Sequence, residues 1–374
     1  MITSILIDDE RPALRELEYL LKNYQEILIV DTFTDPLEAI EKIRHINPQV
    51  VFLDINMPQL KGIDAAARIL DLCPHTDIVF VTAHNQYAIE AFDLHALDYI
   101  LKPISEKRFQ VTIQRLIKAV NAKTAHQTEL APAENQECLI RMFGSFNIEI
   151  AHQSGSLKWR SRKTRELIAF LIHHAGREVM KEEIVAELWG ESATDQEKSF
   201  QLLYNGIYYI RKTLDKNGVT SNHLCIEGNY KLTMGNAVTD VMQFTDCLRQ
   251  YEKNNQEVEQ LEKAVGLYTG EYLADIGSLW AEAERELLSR KYVGAVLDLS
   301  ELYLNRKEFR KAEDVLLRGY ALKPYAEDIS RAIINLYVAT NNKQRALEHY
   351  RDFAKKYTAE MGLEPDEEIK KLVL

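Results

Sequence analysis

Five side chains in the first third of this 374-residue chain have the types and spacing for phosphoryl chemistry. Asp8 and Asp9 close the apolar run SILIDD, Asp54 closes VVFLDI, Thr82 lies near the end of DIVFVTA, and Lys102, followed by Pro103, closes DYILKP. Three carboxylates packed together repel, so such a cluster needs a divalent cation, and hard oxygen ligands favour Mg2+. Asp54 is then the candidate nucleophile, forming an acyl phosphate. Lys102 would pair with the phosphoryl oxygens as a point charge, and Thr82 would hydrogen-bond to one of them. An Asp or Thr at one strand end is an ordinary turn former, but four strand ends with complementary chemistry in this order are not.

These residues need a scaffold that brings distant strand ends together. Residues 1–123 alternate short apolar runs with helical periods: about Pro12 to Tyr24, Pro36 to Arg44, Ile63 to Leu72, Tyr87 to Leu94, and a last helix through Val120. The five strand runs are too continuously apolar for a sheet wetted on one face, so they predict a doubly wound parallel (βα)5 sheet. The carboxyl ends of its strands share one rim, where the five side chains fall. Residues 124–137, TAHQTELAPAENQE, have no apolar period and read as a linker.

From Cys138 the pattern changes. Short strands, LIRMF and FNIEI, flank Gly144 and Ser145, and helices follow over Arg162–His174, with Ser161 as N-cap and Gly176 just past its end, and over Lys181–Leu188. A third helix, about Glu197–Leu214, precedes a strand-turn-strand over Leu224–Leu232. This order, over residues 138–236, predicts a winged helix-turn-helix. In the third helix Phe200, Leu203, Ile207, Ile210 and Leu214 form one apolar stripe. The opposite face carries Lys198, Gln201, Asn205, Tyr208 and Lys212, with Tyr209 and Arg211 at its flanks. Gln and Asn suit adenine edges, Lys and Arg suit phosphates or guanine, and tyrosine hydroxyls suit phosphates. Lys198, Gln201, Asn205, Tyr208, Arg211 and Lys212, with Tyr230 and Lys231 of the hairpin, are the candidate DNA contacts; a solvated polar face is the plain alternative.

Residues 237–374 look helical throughout, with an internal period. Leu302-Tyr303 recurs as Leu336-Tyr337 and Ala312 recurs as Ala346, each 34 residues on, the length of a tetratricopeptide unit. The fold expected is therefore multidomain: an α/β sheet domain, a winged helix and an all-α, tetratricopeptide-like repeat. The net charge of −11 is uneven, and only residues 138–236 are positive, with 13 Lys and Arg against 11 Asp and Glu, which keeps DNA binding open. Cys73, Cys138, Cys225 and Cys247 lie too far apart to suggest a disulfide framework or zinc site. The opening MITSILIDDE breaks any signal-peptide core, and no stretch approaches the ~18 apolar residues of a membrane span. A cytoplasmic protein without membrane contact is expected.

Through DDE, FLDINMP, VTA and LKP, residues 1–123 resemble the receiver domain of bacterial two-component response regulators. The resemblance implies that the Asn56 carbonyl joins Asp8, Asp9 and Asp54 at the metal, that Tyr99 rotates when Thr82 is drawn to the phosphate, and that Lys102-Pro103 is cis. Residues 138–236 resemble the OmpR/PhoB-type effector domain in element order and in IRKTL closing the third helix. They depart from it at the wing, where the family commonly has Gly before Tyr and this chain has Asn229 before Tyr230; Asn tolerates a left-handed backbone. From Asp240 the chain resembles the bacterial transcriptional activator domain of SARP-type regulators, through TDVMQFTDCL, LYTGEYLADI, WAEAERELL and EMGLEP. In that reading Trp280 and the Leu and Tyr positions are core, and the stacked hairpins leave a groove for a partner protein.

Together these resemblances imply a non-enzymatic transcription regulator, an activator, phosphorylated on Asp54 by a sensor histidine kinase. They also imply dimerisation when phosphorylated, and action on promoter DNA with RNA polymerase. Two rivals remain. A Mg2+-dependent phosphohydrolase would carry a DxDx(T/V) motif on the first strand, where this chain has Asp8-Asp9. A signalling adaptor would use the helical repeat as its output and the winged helix as a protein-interaction module.

Overall fold

The computed structural model describes residues 1–73, 76–84, 96–129, 138–150, 157–190, 196–219, 224–226, 230–253 and 258–373. The helix expected over Tyr87–Leu94, the residue Asn229 and the side chain of Lys198 lie outside the described residues. The chain divides into two compact units, Met1–Gln136 with Lys158–Gly235, and Glu137–Leu157 with Asn236–Leu374.

In the first unit β1 (Ile2–Ile7), β2 (Ile27–Phe33), β3 (Val50–Leu53), β4 (Asp77–Thr82) and β5 (Asp98–Leu101) form one parallel sheet in the order β2-β1-β3-β4-β5. The two-residue strand period sends Ile5, Ile7, Val51, Leu53 and Phe80 to one face, where they pack with Ala39, Ile43, Ala65 and Ile69 of helices Pro36–Ile46 and Gly62–Leu72. Leu6, Phe52, Val79, Val81 and Ile100 go to the other face, against Leu14 and Leu17 of helix Arg11–Leu21 and Phe109, Ile113 and Leu116 of helix Glu106–Glu129. The central strands are buried on both faces, which is why they read as continuous apolar runs, whereas edge strand β2 exposes Leu28 and Val30. Local signals set the helix starts: Pro36 occupies the first turn and the Asp35 side chain accepts from the Leu37 amide. The final helix continues to Glu129, so the expected 124–137 linker begins inside it.

The same unit contains helices Arg162–His173, Lys181–Trp189 and Gln196–Lys216 and the hairpin Leu224–Ile226 with Leu232–Met234. Ser161 caps the first of these helices, accepting from the Thr164 amide at 3.1 Å, and Gly176 follows with a left-handed φ of +84°. Leu203, Ile207, Ile210 and Leu214 are buried as expected, whereas Phe200 is half-buried, with Lys181 Nζ 4.4 Å from its ring centroid.

In the second unit the strands Cys138–Arg141 and Asn147–Ile150 pair antiparallel, and Ala237–Thr239 adds in parallel to Cys138–Arg141. Asp240, 1% exposed, accepts from the Met142 amide at 2.9 and 3.1 Å and from the Phe143 amide at 3.1 Å. Phe143 meets Phe244 edge-on at 5.3 Å and Tyr268 at 4.7 Å. The strands expected to open the middle domain thus pack with the C-terminal helices, a grouping different from 138–236 and 237–374. Asp240→Ala should destabilise this unit by about 2–4 kcal/mol, because two buried amides lose their acceptor, whereas Asp240→Asn should cost less because an amide oxygen still accepts. Urea unfolding of the three proteins checks this, and an Ala variant as stable as the parent would refute it.

The 34-residue period has a structural counterpart. Helices Glu282–Asn305 and Phe309–Leu322 form one hairpin, and Glu327–Ala339 and Lys343–Met361 form the next. Tyr303 and Tyr337 are buried near the ends of the leading helices, and Ala312 and Ala346 near the starts of the following ones. Each leading helix ends through a left-handed residue, Lys307 at φ 61° and Asn341 at φ 58°, with the next amide bonded to the carbonyl of Tyr303 or Tyr337. Trp280 is half-buried rather than fully enclosed. No described helix is long and apolar enough to cross a membrane.

Candidate functional site

The carboxyl ends of β1, β3, β4 and β5 bring Asp8, Asp54, Thr82 and Lys102 together. Lys102 Nζ donates to Asp8 Oδ2 at 2.7 Å and to Asp54 Oδ1 at 3.2 Å. Asp54 Oδ2 accepts from the Asn56 amide at 2.7 Å, and Asp8 Oδ1 accepts from the Glu10 amide at 3.0 Å. Asp8, Asp54 and Thr82 are 1%, 6% and 0% exposed. The Lys102-Pro103 bond is cis. Both carboxylates are therefore held by backbone amides on one side and share a single ammonium on the other.

One ammonium between two buried carboxylates leaves surplus negative charge. Burial raises the Asp8 carboxyl above its ordinary value, against the lowering effect of its bonds to Lys102 and the Glu10 amide, and the charge of Asp54 adds to the rise. Burial also works against the Lys102 ammonium, but its bond to Asp8 and the charges of Asp54 and Asp8 outweigh it, so its pKa is raised. With Lys102 seated between Asp8 and Asp54, no group of three or more His, Cys, Asp or Glu side chains among the described residues is drawn together as a metal site. Asp9 is partly exposed at the rim, while Asp8 and Asp54 are drawn inward by Lys102.

The sequence reading missed His84. Its amide lies 3.4 Å from Thr82 Oγ1, its Nε2 lies 3.1 Å from Asn56 Nδ2, and its carbonyl accepts from the Tyr99 hydroxyl. It thereby joins three residues of the expected site. The available signal was its position directly after VTA at a strand end.

The outward stripe of the third helix is divided. Tyr204 packs against the core cluster beneath helix Gly62–Leu72, and Arg211 donates from Nη1 to the Leu70 carbonyl and from Nη2 to the Ile226 carbonyl, each at 3.2 Å. Arg211 is thus engaged by backbone here instead of pointing outward. Tyr208 is half-buried, and burial followed by the nearby Asp77 charge raises its hydroxyl pKa. Asn205 Oδ1 is buried without a hydrogen-bond partner. Lys212 is exposed with Nζ 5.6 Å from the Tyr208 ring, and Gln201 and Lys231 are half-buried. Tyr230, expected on the wing surface, is instead 6% exposed and adopts φ 52°, so the left-handed position falls on the tyrosine and its ring is spent on packing.

Residues 5–114 match the response regulator receiver domain family, and residues 239–373 match the bacterial transcriptional activator domain family. An uncharacterised response regulatory protein of Vibrio cholerae is 43% identical over 118 residues, covering 32% of this chain and 49% of that protein. The transcriptional regulatory protein BtsR of Salmonella typhi is 40% identical over 139 residues, covering 37% of this chain and 56% of that protein. The chain spans about half the length of the curated relatives it matches. The solved structure of Mycobacterium tuberculosis EmbR in complex with a low-affinity phosphopeptide aligns over 64% of each chain, with a TM-score of 0.50 and 18% identity, a likeness of fold alone.

Proposed function

For a chain that joins a response regulator receiver domain to a bacterial transcriptional activator domain, a regulator and not an enzyme, we propose phosphorylation-controlled, DNA-binding activation of transcription within a two-component system. The observation that carries the reading is the Lys102 ammonium bonded to both Asp8 and Asp54 at the rim of the parallel sheet. The phosphodonor in this reading is a phosphohistidine of a sensor kinase. An Asp54 carboxylate oxygen attacks its phosphorus, the N–P bond breaks, and the histidine nitrogen keeps the electron pair. Lys102 then follows the new charge to the phosphoryl oxygens. Thr82 donates its hydroxyl to one of them, and the path from Thr82 through His84 to Tyr99 carries the change away from the pocket.

Asp8, Asp9, Asp54 and the Asn56 carbonyl are hard oxygen donors that suit Mg2+, which would neutralise charge on the entering phosphoryl group. One Lys102 ammonium set between the Asp8 and Asp54 carboxylates leaves net negative charge there, which supports that fit.

Three helices followed by a hairpin support a winged helix of OmpR/PhoB type as the DNA reader, and the two successive helical hairpins support a tetratricopeptide-like output. Promoter DNA and RNA polymerase are the partners, with a homodimer forming on phosphorylation in the cytoplasm. Electrophoretic shift of pooled genomic fragments tests the reading. Phosphorylation by a small phosphodonor with Mg2+ should tighten binding to a selected subset of fragments by roughly 5–150-fold, the usual range of allosteric coupling. Binding that is neither sequence-selective nor salt-dependent would instead favour the adaptor.

A further inference from the structure

The segment Lys158–Arg165, KWRSRKTR, holds five cations in eight residues and no acidic one, in a chain of net charge −11. It runs into the amino end of helix Arg162–His173, where the helix dipole adds to its positive field. Lys158, Arg160 and Arg162 are exposed and Lys163 is half-buried. A cavity of about 270 Å³ lies against this end, lined by Arg160, Ser161, Lys163 and Thr164 and, from the third helix, by Asn205 and Tyr209, together with apolar Leu167, Trp189 and Leu202.

Several features of the lining fit a phosphodiester. Arg160 lies over Tyr209, its Cζ 3.9 Å from the ring centroid, a contact that restrains the guanidinium without using its N–H donors. Lys163 Nζ is bonded to Glu166 Oε2 at 2.7 Å, but the lysine side chain is 43% exposed, so its remaining donors can reach an anion. The buried, unpartnered Asn205 oxygen borders the same cavity; exchanging its amide oxygen and nitrogen would turn a donor toward an anion there. Five cations spread along an exposed run exceed what one free phosphate could use, which favours a polyanion.

We propose that this cavity and the basic run before it seat backbone phosphates of duplex DNA. The start of helix Arg162–His173 is then the main electrostatic anchor, and the third helix reaches the duplex through its Asn205 and Tyr209 flank. The proposal rests on the DNA-binding reading and adds the place where the backbone is held.

The test is titration of the full chain, before and after treatment with a small phosphodonor and Mg2+, against a short fluorescent duplex of arbitrary sequence at several salt concentrations. Inorganic phosphate serves as competitor. Arg160→Ala and Lys163→Ala should each lower the magnitude of the salt slope by about one and weaken low-salt binding roughly tenfold, and the double variant should lower the slope by about two. Lys163→Arg should retain the parent slope, and so should Lys42→Ala on the sheet domain. Thermal unfolding checks each variant, with Arg160→Gln replacing Arg160→Ala if the latter unfolds. If the parent binds and the two variants keep its slope, the phosphates are held elsewhere and the proposal fails. Displacement of the duplex by inorganic phosphate at matched ionic strength would overturn it in favour of a free-phosphate site. A parent that binds no duplex in either state would remove the DNA-binding reading itself, a result distinct from both.

Discussion

Asp54→Asn should reduce labelling by a small phosphodonor in the presence of Mg2+ to background. The amide keeps the shape of the carboxylate but is not a nucleophile, and among the described residues no other carboxylate shares its two fixed contacts, the Asn56 amide at 2.7 Å and Lys102 at 3.2 Å. The variant should stay folded. Removing one of two neighbouring negative charges relieves repulsion with Asp8, which keeps its 2.7 Å bond to Lys102. Loss of label together with an unchanged thermal transition therefore separates chemistry from folding. Full labelling of the variant, read by intact-protein mass spectrometry, would move the phosphoacceptor to another residue and undo the pocket reading.

Gly62→Ala should be the most damaging single methyl addition near the pocket. A Cβ at Gly62 would lie 2.0 Å from the Asp54 carbonyl oxygen and 2.7 Å from the Ile55 Cα. Both obstacles are backbone, and the Gly62 amide is itself bonded to the Ile55 carbonyl at 2.7 Å, so neither side can yield without moving the end of β3. A cost of about 3–5 kcal/mol is expected, at the upper end of overpacking effects. Labelling of Asp54 should fall with it, because the displaced backbone is that of the phosphoacceptor. Urea unfolding followed by a probe in the sheet domain measures the cost. A midpoint equal to the parent's would mean the chain relaxes around the methyl group, and the close approach would lose its significance.

Much of the pocket was legible because its chemistry is written at strand ends and strand ends are easy to find. SILIDD, VVFLDI, DIVFVTA and DYILKP mark four such ends by apolar runs that stop at polar residues. The parallel topology follows from alternation with helices, and it converges those ends without further information. His84 was not legible as a partner because its contacts to Asn56, Thr82 and Tyr99 draw on the loop after β3, the end of β4 and the body of β5. The basic run at Lys158–Arg165 was overlooked for a different reason. Attention to the amphipathic period of the third helix favours charges spaced along a helix face, whereas these charges cluster before and within a helix start.

What the sequence by itself determined are the properties that local rules enforce: the five strands and the burial of the central ones on both faces, the Ser161 and Asp35 caps, the apolar stripe of the third helix, and the 34-residue period of the C-terminal hairpins. Each depends on residues within a few turns of one another or on a repeating pattern. The tertiary structure decided the rest. It grouped Cys138–Arg141 and Asn147–Ile150 with the C-terminal helices, through Asp240 and Phe143, across a separation of about a hundred residues. It gave one face of the third helix to Leu70 and Ile226 and another to a cavity beside Arg160, and it buried Tyr230. An amphipathic pattern states which side of a helix can leave water, but not which of several apolar or carbonyl-rich surfaces it will meet. That choice is made by packing among distant segments, where the gain from each buried contact depends on every other one already formed.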